Sequence, residues 1–159
     1  MLFIKYGFYM LEIKISSWQY DAMCRQHSSN LFFPPATFEK KEEREKREAK
    51  AIVHAHSPHA TAVSTHGESI PAFHYMVALA GGDDIKCAEY ATFGTPDLSI
   101  NIIKALEKRK GCLMSNHGQV AFGKSLSEAF ELAEEVENIC HQYINAIKLG
   151  EPKILSSSE

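Results

Sequence analysis

The longest regular pattern in this 159-residue sequence predicts an amphipathic helix near the C-terminal end. Ser125-Leu-Ser-Glu128 is a capping box, in which a serine and a glutamate three residues later satisfy free N–H groups of a first helical turn. Gly150 and Pro152 end the pattern. A helix with one apolar face buries it against another layer of structure. The predicted face consists of Ala129, Leu132, Ala133, Val136, Cys140, Tyr143, Ile144 and Ile147.

The segment from residue 49 onward has the pattern of an α/β domain. Residues 51–56 predict a short strand, and the break at Ser57-Pro58 leads into a helix predicted over residues 60–65. The apolar stretch 70–80 ends at Gly81-Gly82, a strong stop signal. Thr95-Pro96-Asp97 has a cap, a first-turn proline and a first-turn acid, and opens a second helix. Its predicted buried stripe is Leu98, Ile102, Ile103 and Leu106. Two further strands are predicted around a tight turn at Asn116-His117-Gly118.

The first 48 residues differ from the rest of the chain. Residues 11–16 alternate apolar and polar side chains and predict a half-exposed strand. Two prolines in the segment 31–35 predict a loop. The charge run over residues 39–48 predicts a solvated helix with i,i+4 ion pairs, too mixed in sign to bind phosphate.

Charge and composition exclude several classes of protein. With 17 basic and 20 acidic residues the net charge is −3, which argues against a general nucleic-acid binder. The absence of an 18-residue apolar stretch excludes a transmembrane helix, and no small-residue cleavage site follows the apolar start. The scattered cysteines predict reduced thiols and therefore a cytoplasmic protein. From the charge and the apolar pattern we expect neither membrane nor nucleic-acid partners. They are Cys24, Cys87, Cys112 and Cys140.

Three of the eight histidines form a candidate metal site. His54 and His56 are two residues apart in a predicted strand, so both project from the same face. Such a pair also occurs by chance at a polar strand edge. His117, in a turn where Gly118 permits positive φ, provides a third ligand from a distant segment, as in catalytic zinc sites that leave a position open. The others are interpreted as surface groups or as groups that support the ligands: His59, His66, His74 and His141.

Five motifs occur in an order and spacing that resemble the class II aldolase/adducin family, and within it the L-fuculose-1-phosphate aldolases. They are His54-Ala-His56-Ser-Pro-His-Ala-Thr-Ala-Val-Ser, Ile70-Pro-Ala-Phe-His-Tyr75-Met, Ala80-Gly-Gly-Asp, Tyr90-Ala-Thr-Phe-Gly-Thr95 and Asn116-His117-Gly118. The resemblance covers about residues 48–155. It implies a three-layer α/β/α domain with a central, mainly antiparallel sheet. We therefore expect one domain over residues 1–159, in which residues 1–48 are divergent and residues 49–155 are family-like.

The resemblance also implies a function. It implies Zn²⁺ on His54, His56 and His117, and a homotetramer with active sites at subunit interfaces. Tyr75 would reach a neighbouring subunit's site and act as a catalytic proton donor, whereas the alternative for Tyr75 alone is a buried aromatic with a hydrogen-bonded hydroxyl. The implied reaction is a zinc-dependent aldehyde-lyase cleavage of a short, fuculose-1-phosphate-like ketose 1-phosphate, giving dihydroxyacetone phosphate and an aldehyde. The metal would stabilise the enediolate that cleavage leaves.

One part of the family pattern is missing. Where the family carries a catalytic glutamate upstream of the first metal histidine, this sequence has Pro35, with Glu39 and Glu42 nearby. The family's phosphate-binding loops are not found in residues 1–50. The N-terminal part is therefore interpreted as truncated or divergent. Alternatives are a pentulose-phosphate 4-epimerase, a 5-deoxyribulose or methylthioribulose 1-phosphate aldolase, and a non-catalytic adducin-like assembly module or inactive remnant. Retention of the three histidines and Tyr75 favours an enzyme, whereas loss of the glutamate and of the phosphate-binding loops favours the non-catalytic alternative.

Overall fold

A computed structural model describes residues 2–6, 9–15 and 49–156. The strands are β1 (Leu2–Tyr6), β2 (Tyr9–Ile15), β3 (Ala51–Ala55), β4 (Ile70–Pro71), β5 (Asp84–Ile85), β6 (Cys87–Ala88), β7 (Gly111–Met114) and β8 (Gly118–Gly123). The helices are α1 (Pro58–Ser64), a 3₁₀ helix (Tyr75–Ala80), α2 (Pro96–Ala105) and α3 (Leu126–Lys148). The predictions for residues 31–48, including those on Pro35, Glu39 and Glu42, lie outside the described residues.

Six strands form one mainly antiparallel sheet in the order β1-β2-β3-β8-β7-β6. Every neighbouring pair is antiparallel except β6 and β7, which are parallel. Strand β3 lies in the interior, where the backbone of His54 pairs with Glu12 of β2 on one side and with Val120 of β8 on the other. Strands β4 and β5 form a separate two-stranded sheet.

Helices cover both faces of this sheet, so the three-layer α/β/α architecture is confirmed. Alternate strand residues point to opposite faces. On one face Val53, Leu113 and Ala121 belong to a core cluster with α1 and α3. On the other face Cys112 and Met114 belong to a cluster with α2. No helix in the described ranges is long and apolar enough to cross a membrane.

The structure shifts several predicted boundaries. The strand predicted at 11–16 is β2, and β1, which the sequence did not predict, pairs with it. Helix α1 begins at Pro58 rather than at residue 60, because proline suits the first helical position, where no N–H is needed. Thr95 occupies the cap position of α2, but its hydroxyl donates to the Thr92 carbonyl, so the predicted side-chain cap is wrong.

The predicted apolar faces of α2 and α3 are buried in the middle of each helix but not at its C-terminal end. In α2, Leu98 and Ile102 are buried, whereas Ile103 and Leu106 are half-buried and Ala105 is buried instead. In α3 the buried residues end at Cys140. Ile147, in the last turn of α3, is 45% exposed. The serine half of the capping box is confirmed, because the Ser125 hydroxyl accepts from the Glu128 N–H at 3.2 Å. The Glu128 carboxylate accepts from the N–H of Lys124, at 2.8 Å, and not from the N–H of the cap residue.

The Gly-Gly-Asp motif has a structural explanation in a close approach to Arg109. The guanidinium of Arg109 donates to Oδ1 of Asp84 at 2.8 Å and to Oδ1 of Asp83 at 3.0 Å. It lies so close to Gly82 that a Cβ there would be 2.2 Å from its central carbon. Gly81 ends the 3₁₀ helix with φ of 102°, a left-handed conformation. These contacts fasten the loop to the segment that enters β7.

Candidate metal centre

His54, His56 and His117 come together at the end of β3. Their ring centroids are 4.7–5.0 Å apart, and one ligand nitrogen from each ring lies within 4.8 Å of the others. His54 lies on β3, His56 directly follows it, and His117 lies in the turn between β7 and β8. Within the described ranges this is the single group of three or more histidine, cysteine or carboxylate side chains that could hold a metal ion.

The hydrogen bonds of His54 fix which of its nitrogens is available. Nδ1 of His54 is 2.9 Å from the backbone oxygen of Gln119. A carbonyl only accepts, so Nδ1 carries the proton, and in the neutral ring Nε2 keeps its lone pair. Nε2 of His54 is 3.0 Å from Nε2 of His56, which is the donor in that pair. A metal-binding histidine is commonly oriented by such a bond from its other nitrogen to a carbonyl.

The turn that carries His117 is fixed by its backbone. Asn116 has φ of 55°, a left-handed conformation that asparagine tolerates better than most residues. The N–H groups of Asn116 and His117 donate to the carbonyl and to the hydroxyl of Ser64, at 3.1 and 3.3 Å. A Cβ on Gly118 would lie 2.5 Å from the Ala55 carbonyl oxygen. Glycine therefore allows the turn to approach the end of β3 closely enough for His117 to join the other two rings.

Burial favours the neutral form of two rings of this cluster. Desolvation, followed by the nearby charges of His54 and His56, lowers the pKa of His117 to about 4. Desolvation also lowers the pKa of His56. Neutral imidazole is the form that donates a lone pair to a metal. All three residues are half-buried, and the neighbouring Phe93 ring, 6.0 Å from His117, is 68% exposed, so the cluster lies at the surface of the chain.

The other predicted groups have contacts outside this cluster. Tyr75 begins the 3₁₀ helix, is 71% exposed and packs at 4.7 Å against His74. The alternative of a buried Tyr75 is therefore wrong. His59 stacks on His141 at 4.2 Å, and its Nδ1 is 2.7 Å from Oε1 of Glu137. The four histidines interpreted as non-ligands are absent from the metal-binding group.

Sequence reasoning missed the polar residues that surround the cluster. Gln119 is 1% exposed, and its side-chain amide donates to Ser57 and to the Ala133 carbonyl at 2.8 and 3.0 Å. Ser64 is also fully buried. One feature of the sequence could have indicated a buried polar role for Gln119: it directly precedes the apolar Val120-Ala-Phe segment of a predicted strand. In the sequence, Glu137 has the pattern of an ordinary charged residue on a helix surface.

Comparison with known proteins decides the family. The model of the family described as "Class II Aldolase and Adducin N-terminal domain" matches residues 44–144. The chain belongs to this family. The resemblance inferred from the five motifs is thereby confirmed, although the matched region ends at residue 144 and not near residue 155.

Curated members of the class II aldolase/adducin family match the same region. The chain is 47% identical over 115 residues to 5-methylthioribulose-1-phosphate/5-deoxyribulose-1-phosphate aldolase of Rhodospirillum rubrum, covering 72% of this chain and 52% of that protein. It is 46% identical over 112 residues to L-fuculose phosphate aldolase of Escherichia coli K12, covering 70% and 52%. A solved structure of L-fuculose 1-phosphate aldolase superposes with a TM-score of 0.66 at 44% identity, covering 69% and 51%. The chain thus spans about half the length of these relatives.

Proposed function

We propose that this chain is a zinc-dependent aldehyde lyase that cleaves a short ketose 1-phosphate into dihydroxyacetone phosphate and an aldehyde. The observation that carries the proposal is the convergence of His54, His56 and His117, in which burial lowers the pKa of both His56 and His117. An assembly module has no need of such a cluster. Membership of a family that contains metal-dependent aldolases gives the cluster a chemical purpose.

The donor set fits a divalent metal of borderline softness. Three imidazole nitrogens from two segments can bind one side of a zinc ion, with further positions left for substrate oxygens. Bound there, the metal supplies Lewis-acid stabilisation of the negative charge that C–C cleavage places on the dihydroxyacetone phosphate fragment. The bond from His54 Nδ1 to Gln119 holds one ring ready for coordination through Nε2.

Tyr75 is proposed as the proton donor at the aldehyde end. Tyr75 is exposed on the 3₁₀ helix, which carries none of the three histidines, and this suits a residue serving the site of a neighbouring subunit. The proposal therefore includes a homotetramer, in which each site combines three histidines of one chain with Tyr75 of another.

A carboxylate is still needed to move the second proton. The sequence offers Glu39 and Glu42 near the position where the family has its glutamate, both outside the described residues. The backbone register adds Glu12, which pairs directly with His54. A positioned acid or base contributes about 10²–10⁴-fold in rate, so a chain without any of these groups in place would be a correspondingly slow enzyme.

Names of relatives define the substrates to test first. Two of the relatives are a fuculose phosphate aldolase and a methylthioribulose/deoxyribulose 1-phosphate aldolase, at nearly equal identity. We propose a substrate of this class, in which the dihydroxyacetone phosphate half is constant and the aldehyde differs. Cytoplasmic catabolism of such sugars is the proposed setting.

One experiment tests metal and turnover separately. Purified protein is reconstituted with zinc, analysed for metal content, and assayed with fuculose 1-phosphate and 5-deoxyribulose 1-phosphate by coupling dihydroxyacetone phosphate to a dehydrogenase. We expect one zinc per chain and measurable cleavage, both lost in His117→Ala. His66→Ala is the matched control, because His66 is exposed and outside the cluster.

Two results would contradict the proposal in different ways. Folded wild-type protein that takes up no zinc would exclude the metal centre. Protein that binds zinc stoichiometrically but cleaves neither ketose phosphate, even as a tetramer, would favour the non-catalytic, adducin-like alternative. Loss of activity in only one of Glu12→Gln, Glu39→Gln and Glu42→Gln would identify the missing carboxylate.

A further inference from the structure

Helix α1 contacts both segments that carry the three histidines. Its N-terminal end directly follows His56, through Ser57. At its C-terminal end, Ser64 accepts hydrogen bonds from the N–H groups of Asn116 and His117. The position of α1 therefore influences both His56 and His117.

This helix needs support from outside its own sequence. It has seven residues, fewer than the roughly 12–15 that an isolated helix requires for marginal stability. Its cap residue, Ser57, makes no side-chain capping bond to the helix. The first free N–H groups are instead satisfied by a residue of α3.

Glu137 is that residue. Its Oε1 accepts from the His59 N–H at 2.9 Å and from the His59 ring Nδ1 at 2.7 Å, and its Oε2 accepts from the Ala60 N–H at 2.8 Å. A carboxylate at a helix N-terminus is favoured by both the free N–H groups and the helix dipole. Desolvation opposes ionisation, but the bonds from Ser57, His59 and Ala60 outweigh it and lower the pKa of Glu137.

Ser57 lies between this carboxylate and His54. Its hydroxyl contributes to the lowered pKa of Glu137, and it accepts from the side-chain amide of Gln119 at 2.8 Å. The backbone oxygen of Gln119 accepts from Nδ1 of His54 at 2.9 Å. Gln119 and Ser57 are 1% and 5% exposed, so water competes little for these bonds.

We propose that Glu137 is a positioning residue for the metal centre: by capping α1 from α3, it fixes the relative placement of His54, His56 and His117. The inference rests on the metal site of the proposed function, but it does not require turnover. Glu137 contacts no ligand ring, and it acts through α1 at both ends and through Ser57 and Gln119.

The test measures zinc affinity in Glu137→Gln against Glu134→Gln. Both substitutions remove one negative charge from α3, but Glu134 is exposed and lies outside this network. Glutamine keeps the size of the side chain while it replaces one accepting oxygen with an amide that faces a donor. Groups that orient metal ligands typically contribute 10–100-fold to affinity. We expect the zinc dissociation constant, from chelator competition at a temperature where every variant is folded, to rise 10–100-fold in Glu137→Gln and less than 2-fold in Glu134→Gln.

A spectroscopic readout separates positioning from simple stability. Visible absorption of the cobalt-loaded protein reports ligand geometry, so Glu137→Gln should change its band intensities while Glu134→Gln should not. If Glu137→Gln lowers the melting temperature but leaves both the zinc dissociation constant and the cobalt spectrum unchanged, Glu137 has only a structural role and the proposal is wrong.

A second variant covers the case in which Glu137→Gln does not fold. Ser57→Ala removes only the hydroxyl that accepts from Gln119 and contributes to the lowered pKa of Glu137, and we expect a several-fold rise in the zinc dissociation constant. No rise would overturn the proposal, as would wild-type protein that binds no zinc. Wild-type protein that binds zinc without lyase activity contradicts the proposed function alone, because affinity is measured without substrate.

Discussion

Replacing Gly118 by alanine tests whether the close approach of the His117 turn to β3 builds the metal centre. The added Cβ would lie 2.5 Å from the Ala55 carbonyl oxygen and 3.2 Å from Cδ2 of His56. An ordinary carbon–oxygen contact is about 3.3 Å, so strand and turn must separate by about 0.8 Å. The atom in the way is backbone at the end of an interior strand, which cannot rotate aside as a side chain could.

The magnitude follows from two costs. Overpacking of this kind costs about 1–3 kcal/mol, and the positive φ of 158° adds about 1 kcal/mol for a residue with a side chain. A loss of about 2–4 kcal/mol in the free energy of unfolding corresponds to a fall in Tm of about 4–16 °C for a chain of this size. Metal sites tolerate ligand displacements of about 0.2 Å, so the shift should also weaken zinc binding more than 10-fold.

The assay compares Gly118→Ala with Gly111→Ala on the neighbouring strand. A Cβ on Gly111 would meet its nearest atom, Cγ2 of Val136, at 3.5 Å, an ordinary contact. Thermal unfolding without metal and zinc affinity by chelator competition are measured for both variants. Equal melting temperatures and equal zinc affinities in the two variants would refute the argument, because the geometry at Gly118 would then set neither stability nor ligand placement.

Four further expectations can be checked with the same protein. Free zinc at about 100 times its dissociation constant should stabilise the fold by about 2.7 kcal/mol in a thermal melt, and His117→Ala should abolish this shift. Because the pKa of Glu137 is lowered in the folded state, its ionised form stabilises the fold above pH 4.5, and this contribution is lost as the pH falls through the folded-state pKa. In denaturant titrations, the difference in unfolding free energy between wild type and Glu137→Gln should therefore shrink below pH 4.5. Gly82→Ala should cost about 1–3 kcal/mol in such titrations, because the Arg109 guanidinium must leave its two aspartates, and a cost no larger than that of Gly111→Ala would contradict this. Light scattering should give a mass four times that of a single chain, and a monomer would remove Tyr75 from the mechanism.

The three histidines could be predicted because each depends on local backbone geometry. The two-residue period of a strand places His54 and His56 on one face, even though β3 itself ends at Ala55. Asn116 and Gly118 mark a tight turn for His117 in any sequence of this pattern. The Ser125 cap of α3 is likewise a local signal, and the structure has it where the sequence predicted it.

The residues that hold the histidines could not be predicted, because their contacts join distant segments. Glu137 accepts from residues 77 and 78 positions earlier in the chain, and Gln119 contacts Ser57 across 62 positions. Nothing in the helical pattern separates Glu137 from Glu134, since each is a glutamate beside an apolar stripe. The exposure of Ile147 has the same origin: helical periodicity gives the face of α3 but not where the sheet below it ends.

The two kinds of proposed site residue in this chain therefore depend on different levels of structure. The histidine cluster is set by the register of β3 and β8, in which Ala55 pairs with Gln119, and by the Ser64 contacts of the His117 turn. These contacts are all within one chain. Tyr75 is exposed on the 3₁₀ helix, and in the proposed mechanism it becomes useful only when another chain is present. Zinc affinity should accordingly persist when the assembly is diluted to single subunits, whereas cleavage should disappear with the tetramer.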